Sequence, residues 1–157
     1  MNPLNKDLHL STDGDKLIKG FEQFRPTAYQ DSGGKWTYGW GATFKLDGSA
    51  VKKGDTISMA DADILFDKNI LKFENQVKAA ITIPLKQNEF DAVVSAFYNA
   101  LGVPRFIQHI NERDNMALVF PLYDKDQSGN VSPGLLRRRK SEAEMFVNGK
   151  LNFFEHA

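Results

Sequence analysis

Hydrophobic positions near the start of the chain recur at intervals of three and four residues, the period of an α-helix: Leu17, Phe21 and Phe24. Ser11 or Thr12 is suited to cap the start of this helix, and Pro26 is expected to end it. Glu22 lies beside the apolar face, close to the predicted end. The pattern therefore predicts a first helix whose last turn carries a carboxylate.

Beyond Pro26 the period changes to two, which is typical of a β-strand. Aromatic side chains alternate with small or polar ones: Trp36, Tyr38 and Trp40 with Thr37, Gly39 and Gly41. Residues 32–34, Ser-Gly-Gly, supply a turn, so this strand is expected to pair with residues 27–31. Asp31 would then lie at the turn end of a hairpin, with Thr37 on the opposite strand close to it. The glycines on the Thr37 face would let an extended ligand approach the backbone.

Ser58, with Asp61 three residues later, predicts the start of a long helix over residues 58–82. Its apolar positions keep helical spacing: Ala62, Leu65, Phe66, Phe73, Val77 and Ala80. Glu74 and Lys78 are expected to form an i, i+4 pair on the outer surface. This helix is long enough to connect two lobes.

A second helical pattern covers residues 88–101. Its buried face is large and apolar: Phe90, Val93, Val94, Phe97 and Leu101. The adjoining face is small with one amide, which suits the wall of a cleft: Ala92, Ser95, Ala96 and Asn99. Gly102 and Pro104 are expected to end this helix. Residues 106–120 are predicted to form shorter helical pieces, and residues 135–147 a last helix.

These elements predict an α+β fold with two lobes, formed by a single domain over residues 1–157. The small lobe, about 12–57, would contain the first helix and the hairpin. The connecting helix, about 58–82, would lead to a larger all-helical lobe, about 83–157. Residues 1–10 are expected to form an arm packed nearby, without an assigned function. A cleft would lie between the two lobes.

The charges balance, with 20 Lys and Arg against 20 Asp and Glu, so no net field draws the protein to nucleic acid or to an anionic membrane. The sequence has no cysteine, which excludes a disulfide framework. Its apolar runs fall short of the roughly 20 residues that a membrane span needs, and no membrane insertion is expected. His9, His109 and His156 lack the spacing of metal ligands. We therefore expect no metal and no other cofactor.

Two further motifs admit a functional or an ordinary interpretation. Residues 124–131 follow the pattern of a calcium-binding loop, but Leu135 stands where its last carboxylate is needed. We therefore expect a polar turn or short hairpin, with a calcium-regulated interaction protein as an alternative. The basic residues 137–140 could contact nucleic acid, but without interleaved aromatic residues a solvated helix face is expected.

Glu22, Asp31 and Thr37 are the side chains that glycoside hydrolysis needs. Glycosidases use two carboxyl groups, one to donate a proton and the other to activate water or attack the sugar. A hydroxyl beside the second carboxylate can hold that water. Taken one at a time, Glu22 could equally be a surface glutamate near a helix end, and Thr37 an ordinary strand threonine.

The spacing of these residues resembles the catalytic signature of the phage-type lysozymes, glycoside hydrolase family 24, the endolysins of tailed bacteriophages. Eight residues separate Glu22 from Asp31, five separate Asp31 from Thr37, and Gly-Trp-Gly follows at residues 39–41. The resemblance implies the lysozyme-like two-lobe fold predicted above.

Two later blocks resemble further motifs of that family in the same order: residues 87–102, with Phe97-Tyr98-Asn99, and residues 133–139. The resemblance therefore spans nearly the whole chain. It departs from the family at Gln23, where glycine is frequent, and at Leu122-Tyr123, where tryptophan is common.

The resemblance implies a muramidase, which hydrolyses the β-1,4 bond between N-acetylmuramic acid and N-acetylglucosamine in peptidoglycan. Glu22 would be the general acid. Asp31 and Thr37 would hold and activate the water, which predicts inversion of configuration, or Asp31 would stabilise positive charge at the anomeric carbon. Asn99 and Arg138 are expected to bind substrate or support the site, with Arg138 paired to Glu22 at the cleft floor.

The expected partners are peptidoglycan glycan strands, and the expected state is a monomer. Residues 1–10 lack the basic-then-apolar pattern of an export signal. For a lysis enzyme, this implies synthesis in the bacterial host cytoplasm and action on periplasmic peptidoglycan after release by a separate holin. Three alternatives remain open: a lytic transglycosylase, a catalytically inactive peptidoglycan-binding module and a delivered antibacterial effector domain.

Overall fold

The computed structural model describes residues 1–155, so His156 and the end of the predicted domain lie outside the described part. The regular elements of the described part are, in chain order, α1 (Thr12–Glu22), β1 (Arg25–Gln30), β2 (Trp36–Gly39), α2 (Met59–Ala80), α3 (Gln87–Tyr98), α4 (Pro104–Asn111), α5 (Met116–Val119) and α6 (Pro133–Asn148). Short 3₁₀ turns occupy Pro3–Asn5 and Phe120–Leu122. The fold is the predicted α+β arrangement of a small antiparallel sheet and many helices.

The first helix ends earlier than its hydrophobic period predicts. It begins after Ser11, whose hydroxyl accepts a hydrogen bond from the first turn. It ends at Glu22, because Gln23 adopts a φ of +58° and turns the chain away from the helix axis. The prediction that Pro26 ends the helix is wrong, since Pro26 lies in β1. Phe24 also lies outside the helix.

The predicted hairpin is present. β1 and β2 pair antiparallel with Tyr29 opposite Thr37, and a bulge interrupts the ladder between Arg25 and Tyr29. Asp31 directly follows β1 and begins the turn. Trp40, which the alternation predicts as a strand residue, lies just beyond the end of β2.

The long helix α2 contributes to both apolar clusters of the protein. It begins after Ser58, whose side chain accepts a hydrogen bond from the Asp61 amide (3.1 Å), as the capping pattern predicts. Leu65 belongs to a small cluster beneath the hairpin, whereas Phe66 belongs to the main core. One helix therefore joins the two clusters. The lobe boundaries at residues 57 and 82 stay a prediction.

The N-terminal arm, residues 1–10, covers a face of α2 that sequence periodicity assigns to solvent. Glu74 and Lys78 are buried and do not form the predicted outer pair. The Glu74 carboxylate accepts a hydrogen bond from the Leu10 amide (2.5 Å), and the Lys78 ammonium donates to the Lys6 carbonyl (2.9 Å). The arm supplies the partners that buried charges need.

Helix α3 is the centre of the main core. Its residues are buried on every side from Phe90 to Phe97, including Ala92 and Ala96, so its small-residue face is not the wall of a cleft. The helix ends at Tyr98, before the predicted Gly102 and Pro104 signals. Ala100, with φ of +62°, reverses the chain there, and Pro104 begins α4 instead.

Helix α6 packs along α3 and carries the basic residues. It starts after Ser132, which caps the Leu135 amide (3.2 Å). Arg138 and Arg139 are buried, so the expected solvated helix face is wrong for these two arginines.

Candidate active site

Glu22 stands at the last position of α1, where the chain leaves the helix. Its side chain is 16% exposed, and Oε1 accepts a hydrogen bond from Arg138 Nη1 at 3.0 Å. Oε2 faces Gly41. A Cβ atom added to Gly41 would lie 2.5 Å from this oxygen. Gly41 has φ of +88°, so glycine is needed here both for the backbone conformation and for the close approach.

The two glycines that follow Tyr38 and Trp40 have close neighbours within the protein. Gly41 makes room for the Glu22 carboxylate, and a Cβ at Gly39 would lie 3.3 Å from Ala62 Cβ of α2. Gly39 is thus packed against α2, while the approach of a ligand to the glycines stays a prediction.

Asp31 uses one carboxylate oxygen to hold the hairpin turn. Oδ1 accepts hydrogen bonds from the Gly33 amide (2.9 Å) and the Lys35 amide (2.8 Å). Oδ2 receives no hydrogen bond from any other residue that the structure describes. One oxygen thus fixes the orientation of the carboxylate while the other is available to a ligand.

Thr37 is buried in β2, and its hydroxyl has a defined orientation. Oγ1 donates a hydrogen bond to the Lys35 carbonyl at 3.0 Å. The proton is thereby engaged, so Oγ1 meets any further partner as an acceptor.

Tyr29 lies opposite Thr37 on the paired strand, and the sequence reasoning did not include it among the candidate residues. Burial raises the pKa of its phenol, and the negative charges of Glu22 and Asp31 raise it further, while Arg25 lowers it. The charges of Glu22 and Asp31 therefore both act on this phenol. The sequence feature that could have pointed to Tyr29 is its position on the strand, two residues before Asp31.

Tyr98 borders Glu22 from the end of α3. Burial is the main reason that the pKa of its phenol is raised, and the Glu22 charge adds to the effect. Its hydroxyl donates to the Trp40 carbonyl at 2.5 Å. Tyr98 therefore ties the main core to the segment that carries Gly41.

Arg138 reaches Glu22 from α6, as the resemblance implies. Its guanidinium donates to Glu22, to Glu142 Oε2 (3.3 Å) and to the Ser95 carbonyl (3.1 Å). Burial lowers the pKa of Arg138, but the two carboxylates raise it by more. The guanidinium stays charged and fixes the direction of the Glu22 side chain.

Asn99 is held on the far side of this group. Its amide oxygen accepts a hydrogen bond from Arg139, which also donates to Glu142 and to the Tyr123 carbonyl. Within residues 1–155 no hydrogen bond joins Asn99 to Glu22. The structure joins Glu22 to Arg138, and Asp31 and Thr37 both bond to the backbone of Lys35, whereas Asn99 contacts Arg139.

Residues 124–131 form the short hairpin that the sequence predicts in place of a calcium loop. Lys125 bridges to Val131, and Asp126 Oδ1 accepts the amides of Ser128 (2.9 Å) and Asn130 (3.0 Å). The part of the chain that the structure describes contains no group of three or more His, Cys, Asp or Glu arranged to hold a metal ion. Across residues 1–155, none of the helices has the length and apolar character required for a membrane span.

Comparisons with known proteins agree on one family. The Phage lysozyme family matches residues 19–142. The endolysin of Acyrthosiphon pisum secondary endosymbiont phage 1 is 29% identical over 149 residues, which cover 88% of this chain and 98% of the relative.

Solved structures give the same result. An endolysin from Escherichia coli O157:H7 phage FAHEc1 superposes with a TM-score of 0.81 at 34% identity, covering 93% of this chain and 98% of the other. The muramidase domain of SpmX from Asticaccaulis excentricus has a TM-score of 0.75 at 30% identity, covering 89% and 98%.

Proposed function

The chain belongs to the phage lysozyme family and is a muramidase that degrades peptidoglycan, and from this premise we propose that Glu22, Asp31 and Thr37 carry out its reaction. The reaction is hydrolysis of the β-1,4 bond between N-acetylmuramic acid and N-acetylglucosamine. The observation that carries the proposal is the position of Glu22 at the end of α1, with one oxygen bound by Arg138 and the other facing Gly41.

Glu22 is the general acid in this mechanism. Arg138 holds Oε1, so Oε2, which faces the side-chain-free Gly41, is the oxygen that carries the proton to the leaving glycosidic oxygen. General acid catalysis by a positioned carboxyl typically contributes about 10²–10⁴-fold to the rate.

Asp31 and Thr37 orient the nucleophilic water. Oδ2 of Asp31 and Oγ1 of Thr37 are both acceptors, because the Thr37 proton already goes to the Lys35 carbonyl. A water that donates its two hydrogens to these oxygens keeps a lone pair for the anomeric carbon. As the new C–O bond forms and the glycosidic bond breaks, the Asp31 carboxylate takes one proton from the water and Glu22 gives its own to the leaving oxygen. The Asp31 charge also stabilises the positive charge that develops on the sugar. A water placed in this way attacks from the face opposite to the leaving group, so configuration inverts.

The acid is tested with Glu22→Gln, which keeps the shape and the Arg138 contact but cannot donate a carboxyl proton. We expect the clearing rate of purified cell walls to fall by at least about 10²-fold in a protein that still folds. Glu112→Gln, an exposed position near the end of α4, makes the same chemical change away from the site and should keep full activity. Near-normal activity of Glu22→Gln would reject the acid assignment.

The water is tested by NMR of the first reducing end released from a soluble glycan fragment, before mutarotation. We expect the α-anomer. A β-anomer would indicate direct attack by a carboxylate, and an anhydro-muramyl product would indicate a lytic transglycosylase. Either result would contradict the water-activating roles of Asp31 and Thr37.

The relatives named endolysin support a role in lysis of a bacterial host. We extend the proposal to a monomer that acts on periplasmic glycan strands after release by a separate holin. Sedimentation of the active enzyme tests this state.

A further inference from the structure

Three buried charged side chains form a row behind the proposed acid, Glu22. Glu22 contacts Arg138 Nη1 (3.0 Å), and Arg138 Nε contacts Glu142 Oε2 (3.3 Å). Glu142 Oε1 in turn accepts a hydrogen bond from Arg139 Nη1. The Glu142 side chain is fully buried, and Arg138 and Arg139 are nearly so.

We propose that Glu142 is a positioning residue for the general acid, which holds the Arg138 guanidinium behind Glu22 and offsets part of its positive charge. The inference rests on the proposed role of Glu22. Glu142 makes no direct contact with Glu22 within the described residues. Through Arg138 it would nevertheless influence the proton that Glu22 delivers.

The contacts of Glu142 fix its carboxylate from three directions. Oε2 accepts from Ser95 Oγ (2.6 Å) and from Arg138 Nε, and Oε1 accepts from Arg139. The Ser95 carbonyl also accepts from Arg138 Nη2 (3.1 Å). Glu142 and Ser95 together hold two sides of the guanidinium, so the side that remains points to Glu22.

The charges of the row give Glu142 an electrostatic effect as well. With Glu142 present, the row and the acid together hold two positive charges, on Arg138 and Arg139, and two carboxylates, on Glu22 and Glu142. Without its charge, Glu22 alone would face two buried cations, which favours the ionised form of Glu22. A general acid works in its protonated form, so the loss of Glu142 should remove activity at lower pH than in the wild-type enzyme.

Other charged and titratable groups around Phe21, Tyr29 and Tyr98, including Arg25 over the Tyr29 ring, are unchanged in the variants. Arg137 of α6 lies over the Phe21 ring (5.1 Å to the ring centre), and Tyr29 of β1 and Tyr98 of α3 respond to the Glu22 charge. Asp31 acts on Tyr29 from the turn. A change in the pH profile of a Glu142 variant can therefore be attributed to Glu142.

The test is the pH dependence of kcat/KM on a soluble glycan substrate, for Glu142→Gln, Glu142→Asp and the control Glu144→Gln. In Glu142→Gln we expect the alkaline limb of the kcat/KM profile to move to lower pH by about one unit. Two unit charges about 10 Å apart, at an effective dielectric constant of about 20, interact by about the free energy that corresponds to one pH unit. Glu142→Asp keeps the charge, so its limb should stay close to wild type even if kcat falls. Glu144→Gln changes a half-exposed position of the same helix and should leave the profile unchanged.

A purely structural role for Glu142 gives a different result. Removal of one partner from a buried ion-pair network is strongly destabilising, so a lower melting temperature is expected under both interpretations. An alkaline limb that stays in place in folded Glu142→Gln, or moves up, would overturn the proposal.

Arg139→Gln provides a second test that does not depend on the folding of Glu142→Gln. This change removes one cation and leaves Glu142 to offset Arg138 more fully, so the alkaline limb should move to higher pH. An unchanged limb would also overturn the proposal. Glu22→Gln in the same assay separates the two ideas, since wild-type turnover there would reject the acid assignment itself.

Discussion

Asp31 shows at the scale of a single residue how one carboxylate can serve both a turn and a reaction. Oδ1 caps the amides of Gly33 and Lys35, which is the ordinary use of aspartate in a turn. Oδ2 is the oxygen that we propose for the water. Replacement by alanine would disturb both functions and could not separate them.

Asp31→Asn separates them, because an asparagine carbonyl oxygen can accept the same two amide hydrogen bonds while carrying no charge. We expect cell-wall clearing to fall by about 10²-fold or more, the lower end of the range for a lost catalytic base, with little change in melting temperature. Asp47→Asn is a matched control, since Asp47 Oδ1 accepts the Ser49 amide (2.9 Å) in an exposed turn. A strong loss of stability in Asp31→Asn with activity retained would show that Asp31 serves the turn alone.

The junction between α1 and β1 determines, at the scale of the elements, where Glu22 is placed. Gln23 has φ of +58° and ψ of +148°, a region of the backbone map that is essentially restricted to glycine. This conformation ends α1 directly after Glu22 and starts β1 two residues later. Glycine, which the resemblance leads one to expect at this position, would adopt this conformation without strain.

Gln23→Gly should therefore stabilise the protein, in contrast to most changes to glycine. Relief of an unfavourable backbone conformation is worth on the order of 1 kcal/mol, which corresponds to a rise in melting temperature of about 2–4 °C for a chain of this size. Gln108→Gly, inside α4, is the control and should lower stability by about 1 kcal/mol. Calorimetry of both variants measures the difference, and a decrease for Gln23→Gly would show that the strain is absent.

The N-terminal arm contributes to the stability of the whole molecule by completing the partners of distant buried groups. Asn5 is fully buried, and its amide donates to the Ile83 carbonyl (2.8 Å) and accepts from the Leu85 amide (2.8 Å). Directly after the arm, Ser11 donates from its backbone amide to Asp91 Oδ1 (3.0 Å). The arm is thus a part of the core, although its sequence is polar and weakly patterned.

Asn5→Ala should destabilise the fold without affecting the chemistry. Two buried backbone groups would lose their partners, at a cost of about 2 kcal/mol, which lowers the melting temperature by about 4–8 °C. Asn2→Ala, which removes an exposed hydrogen bond to the Thr82 carbonyl, should cost less than about 1 kcal/mol. Thermal unfolding and cell-wall clearing at low temperature check both parts, and equal stabilities would contradict this role of the arm.

Much of the fold was predictable because its signals are local. The cap at Ser58, the hairpin turn after Asp31 and the helical period of α2 each depend on a few neighbouring residues. The end of α1 was not predictable in this way, since the sequence contains Pro26 as an obvious stop signal and the actual stop is a strained Gln23. The burial of Glu74 and Lys78 was missed for another reason: their partners lie in the arm, 64 or more positions earlier in the chain.

The sequence by itself determined the α+β class, the hairpin and the spacing that relates Glu22, Asp31 and Thr37, because caps, turns and hydrophobic periods act between near neighbours. Only the tertiary structure decided which charges lie inside. Glu22 and Arg138 are 116 positions apart, and Glu142 has the pattern of an ordinary helix residue. A charge becomes stable in the interior when opposite charges and hydrogen-bond donors from other elements surround it. That condition is met when α1, α3 and α6 pack together.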